Sequence, residues 1–191
     1  MTGLAPQLED IDRQLADARR RAHDVAARVG PERWGTRPAP EEWSVAECLI
    51  HLNLTSRAFL PLIRDATFGG RAQNLLGDGP YRRDVVGWVL CWIMEPPARF
   101  RIKTTAPFVP GGVESPARIL EMFDGLQDAL RACVREVHGL DLGRLRLASP
   151  FNARLKYNLY SCLRLIPAHQ RQHLVQAENV VDSLRAVGGG G

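Results

Sequence analysis

The sequence predicts an all-α fold, a four-helix bundle with a long connection between its second and third helices. Three observations carry this prediction. Apolar residues recur at helical spacing in four long segments, start and stop signals bracket those segments, and no stretch alternates strongly enough to read as a strand.

In the first segment Leu8, Ile11, Leu15, Ala22, Val25, Ala26 and Val29 fall on one stripe, stopped by Gly30-Pro31. The second opens at Ser44 and is expected to run to about Thr67. Ser44 and Glu47 have the spacing of a capping box, and Trp43 just ahead is placed to pack on Cys48 as a hydrophobic staple. The third begins with Ser115 as N-cap and Pro116 at the first helical position. Its stripe is Ile119, Met122, Phe123, Leu126, Leu130, Cys133, Val134 and Val137, and Gly139 is the expected stop. The fourth covers roughly residues 159–187, with a kink or restart expected at Pro167. Residues 68–114 form the crossover, rich in Gly and Pro. Within it VVGWVLCWIM, residues 85–94, should be a short helix lying over the bundle. So long a connection does not suit a plain up-down-up-down bundle. The glycines at 188–191 read as a flexible tail, which leaves 1–187 as one bundle domain.

Composition narrows the function classes. A chain of 191 residues can bury a core without disulfide staples. The net charge of +4 is carried by arginine, since Lys103 and Lys156 are the only lysines. Its longest basic run, Arg19-Arg20-Arg21, sits inside an amphipathic helix and reads as a solvated face, so nucleic acid is not an expected partner. Cys48, Cys91, Cys133 and Cys162 are scattered, without paired spacing. The acidic, amphipathic N-terminus is unlike a secretory signal. The apolar stretch at 85–94 is far shorter than the roughly 20 residues of a membrane span. A soluble, cytoplasmic chain with reduced thiols and no membrane partner is expected.

Chemistry is concentrated in AHQRQHLVQAENVV, residues 168–181. At about 100° per residue, Ile166, His169, His173, Gln176, Val180 and Leu184 share one face, so both histidines point where core residues point. Buried imidazoles need hydrogen-bond partners or a cation, and an i, i+4 pair can serve one metal ion. His51, two turns into the second helix at the edge of the stripe of Val45, Cys48, Leu52, Thr55 and Phe59, is the candidate third ligand. Three protein ligands leave a coordination position for water or substrate, the arrangement of catalytic zinc. The competing account has His169 and His173 hydrogen-bonded to facing polar groups, with Gln176 helping. His23 reads as a surface residue, and His138 as a favourable charge at a helix C-terminus. Cys48 reads as a small core residue, with a fourth ligand or a reactive thiol as the alternatives. Glu178 points away from His169 and so is a poor general base. Arg144, Arg146, Arg154, Lys156 and Arg164 read as a solvated basic surface, with attraction of an anionic cofactor as the alternative.

Three stretches resemble the DinB-like superfamily, RWGTRPAPEEWSVAECLIHL, RFRIKTTAPFVPGG and AHQRQHLVQAENV, and the similarity spans most of the chain, from about Asp10 to Leu184. The resemblance implies a four-helix bundle of up-down-down-up course with a three-histidine metal site at His51, His169 and His173. Zinc, nickel or an iron-type ion is implied as the metal, and a homodimer as the assembly. It further implies a function: a divalent-metal-dependent enzyme, foremost a small-thiol-dependent S-transferase or a related isomerase or hydrolase. There a low-molecular-weight thiol would be the cofactor and a small molecule the substrate. The alternative is a non-catalytic, stress-related metal- or ligand-binding protein.

Overall fold

The computed structural model describes residues 3–97, 103–112 and 114–188. The structure is all-α in class. Its helices are α1 (Pro6–Val29), α2 (Val45–Ala72), α3 (Val85–Met94), α4 (Pro116–Glu136) and α5 (Leu159–Gly188). Two three-residue strands, β1 (Arg146–Ala148) and β2 (Lys156–Asn158), pair antiparallel ahead of α5. Sequence periodicity gave no sign of them, because three residues are too few to display an alternation.

Each of the long helices α1 and α2 packs against both α4 and α5. Ion pairs show the relative directions. Asp10–Arg164, Arg21–Glu178 and Arg28–Asp182 rise together along α1 and α5. Asp12–Arg131 and Arg19–Asp124 run oppositely along α1 and α4. Asn53 donates to the Ile119 carbonyl and Arg71 to that of Glu136, so α2 and α4 share a direction.

Capping decides where α2 starts. The Ser44 hydroxyl accepts from the Glu47 N–H at 3.2 Å, and the Ser44 N–H donates back to the Glu47 carboxylate at 2.8 Å. Arg37 also binds that carboxylate. Burial works against ionisation there, but the Arg37 guanidinium and the Ser44 donors hold the Glu47 pKa below its usual range.

The end of α2 differs from expectation. The helix continues past Thr67 through Gly69 and Gly70 to Ala72. Gly70 here permits packing rather than stopping the helix, since a Cβ would lie 2.8 Å from a Leu145 methyl. Helix α5 likewise continues through Pro167 without a restart. Helix α4 ends at Glu136, three residues before Gly139, whose φ of 81° turns the chain after it.

Helix α3 lies on α5, as its sequence suggested. Asp84 caps it, accepting from the Gly87 N–H at 2.9 Å, while its other oxygen accepts from the Asn158 N–H at 2.9 Å. Gly87 allows the close approach, because a Cβ there would fall 2.1 Å from Ser161. The opposite side of α3 exposes Val85, Trp88, Val89 and Trp92. The quoted RFRIKTTAPFVPGG stretch falls partly outside the described residues, at 99–102; of the expected tail at 188–191, Gly188 is instead the last residue of α5, and 189–191 fall outside. Among the described residues, no helix is long and apolar enough to cross a membrane.

Candidate metal centre

His51 stands one turn beyond the capping box on α2, and His169 and His173 stand on successive turns of α5. The packing of α2 on α5 brings the three rings together. Centroids are 5.1 Å apart for His51 and His169, 4.4 Å for His51 and His173, and 4.7 Å for His169 and His173. One nitrogen from each ring lies within 4.8 Å of the others, so the group could hold a metal ion.

Hydrogen bonds decide which nitrogen His51 and His173 present. His51 Nδ1 lies 2.8 Å from the Phe108 carbonyl, which only accepts, so Nδ1 carries the proton and Nε2 keeps its lone pair. His173 Nδ1 donates to Gln176 Oε1 at 3.0 Å, with the same consequence for its Nε2. Orientation of a ligating imidazole through its second nitrogen is the usual arrangement around protein-bound metals. His51 Nε2 and His169 Nε2 are 3.2 Å apart. Two nitrogens on a tetrahedral ion with bonds of about 2.0–2.1 Å would stand about 3.3 Å apart. The donor set thus fits a divalent ion. The same 3.2 Å also suits a direct hydrogen bond, with His169 donating to His51.

Electrostatics favour neutral rings. Burial lowers the pKa of His51 below its ordinary value. Burial, with His173 and His51 nearby, lowers that of His169 well below. Burial and the proximity of His51 bring His173 down to about 3, against the opposing Gln176 hydrogen bond. Neutral imidazole is the metal-binding form, so the cluster is ready for a cation at neutral pH.

Aromatic rings enclose the cluster. Trp43 stacks on His173 at 5.7 Å with planes 23° apart and also touches His51 at 5.0 Å. Its place before the N-cap had marked Trp43 only as a staple. It does pack beside the apolar cluster that includes Cys48, but its ring also walls the histidine site. Phe151 lies 5.8 Å from His169 and 4.8 Å from Phe108. Neither Phe108 nor Phe151 carried a sequence signal. Two surface clefts, of about 420 and 350 Å³, lie elsewhere, along residues 144–148 and around residues 77–82.

The remaining candidates resolve plainly. Cys48 is fully buried, and burial pushes its thiol pKa far up. All four cysteines are buried with raised pKa values, so none is poised as a thiolate. Glu178 pairs with Arg21, away from the histidines. His23 is half-exposed and faces Asp124 at 3.0 Å, and His138 lies just past α4. Arg146 pairs with Asp84 and Arg164 with Asp10, while Arg144, Arg154 and Lys156 are exposed.

A helical bundle with three inward imidazoles from two helices defines a class of protein that could carry a divalent ion in its core. Residues 14–177 match the family model of the DinB superfamily, and the chain belongs to that superfamily. Comparison with curated proteins and with solved structures finds no match.

Proposed function

We propose that His51, His169 and His173 bind one divalent metal ion through their Nε2 atoms, and that the chain is a metal-dependent enzyme using a low-molecular-weight thiol. The reaction class is S-transfer to an electrophilic small molecule, or a related isomerisation or hydrolysis. The observation that carries the metal reading is the convergence of three neutral imidazoles, two of them with Nδ1 committed to an oxygen acceptor. When bound, such an ion lowers the pKa of a thiol or water in its free coordination position. Zinc suits three nitrogens and an open fourth place, and nickel or iron(II) suits the same donors.

The chain's own groups support an external nucleophile. The cysteines are buried and protonated, and Glu47 and Glu178 are committed to arginines. His51 and His173 keep their protons on Nδ1, held by the Phe108 carbonyl and Gln176 Oε1. Trp43, Phe108 and Phe151 provide an apolar wall that limits water near the histidines. A homodimer, which rests on the family resemblance, and a cytoplasmic location, which rests on the scattered cysteines and the acidic N-terminus, belong to the same proposal.

The second reading is a non-catalytic metal- or ligand-binding protein. The burial of His51 and His169, 3% and 6% exposed, favours it. Two measurements decide. Protein expressed with ample zinc, nickel and iron should carry about one metal ion per chain by elemental analysis, and His173→Ala should lose it. Equal, near-zero metal in both would reject the metal site. The loaded protein should then turn over electrophiles only when a thiol is supplied. Absence of turnover across several thiols and electrophiles would favour the non-catalytic reading.

A further inference from the structure

We propose that Phe108 is the positioning residue for His51, so that the crossover between α2 and α4 sets how tightly the histidines hold a metal ion. This inference rests on the reading of the cluster as a metal site. Among the described contacts of His51, the Phe108 carbonyl is the acceptor that fixes which nitrogen faces His169. That carbonyl belongs to no helix or strand of the bundle. It sits on a single 3-10 turn, Ala106–Phe108, in which the Phe108 N–H donates to the Thr105 carbonyl at 2.9 Å.

The turn is held by its own side chain. Phe108 is 6% exposed, and its ring meets Phe151 edge-on at 4.8 Å. Phe151 in turn meets Phe59 of α2 at 5.7 Å and His169 at 5.8 Å. One aromatic chain therefore joins the turn that aligns the first histidine to the ring of the second. If the Phe108 ring is cut back, the turn loses its anchor and His51 its fixed acceptor, while all three imidazoles remain.

Groups that orient a ligating histidine typically change metal affinity 10–100-fold when removed. Phe108→Ala should therefore weaken zinc binding by about that factor in competition with a chromogenic chelator, and Phe108→Leu, which still fills the site, should restore most of it. Leu130→Ala, a core cut on α4, should lower the melting temperature without a comparable loss of affinity. In the metal-free protein, the nitrogen NMR signature of His51 should show a protonated Nδ1 in the wild type and a mixed tautomer in Phe108→Ala. Coupling is reciprocal, so zinc should slow amide hydrogen exchange across residues 103–112 of the wild-type chain. That last measurement needs no variant to fold. Zinc affinity unchanged in Phe108→Ala, or exchange at 103–112 insensitive to zinc, overturns the inference. Failure of the wild type to bind zinc overturns the metal reading as well, which separates the two.

Discussion

At the scale of residues, the cluster behaves as three buried bases. Their pKa values are lowered, so the unfolded chain takes up protons first as the pH falls below about 6.5. The stabilisation is complete above that value and is lost progressively on acidification, down through about 3 for His173. Urea midpoints measured without metal should fall between pH 7 and pH 4, and fall less steeply in His173→Gln. Equal slopes for the two proteins would show that His173 is not buried neutral. The positions of His51, His169 and His173 were legible because their helical phases could be counted from the sequence. The Phe108 acceptor was not, since a loop carbonyl leaves no mark on residue type. Trp43 was half legible: its place before the N-cap was clear, but not the histidine rings beneath it.

At the scale of elements, the starts of α2 and α4 were the most readable features. Each rests on a local hydrogen bond between residues three apart, as in Ser44 with Glu47 and Ser115 with Arg118. Ser44→Ala should cost about 1 kcal/mol of stability in chemical denaturation, with metal binding weakened only if fraying of the first turn reaches His51 in the second. Helix ends were less readable, because glycine has two uses. At Gly139 it turns the chain, whereas at Gly70 it lets Leu145 approach. Gly87 has the second use against Ser161, and Gly87→Ala should destabilise the chain by about 1–3 kcal/mol through overpacking. A variant as stable as the wild type would mean that α3 can lift from α5 at little cost.

At the scale of the whole molecule, helix pairing was less legible than helix content. Periodicity reports which face is buried, whereas the partners of that face depend on contacts such as Arg21–Glu178 and Arg19–Asp124, distant in sequence. A metal on the histidines would join α2 to α5 across 118 residues of chain from His51 to His169. It would then stabilise the folded state in proportion to its free concentration. The melting temperature should rise with added zinc and fall on chelation, and a His51→Ala variant should lose that dependence. Trp43 has a separate consequence of an optical kind. Of the four tryptophans, Trp34 is buried beside the bundle end, Trp88 and Trp92 face outward, and Trp43 alone stacks on the histidine rings. A coloured ion such as cobalt or nickel in the cluster would quench the emission of that one indole most strongly, so the chain carries its own fluorescent gauge of occupancy.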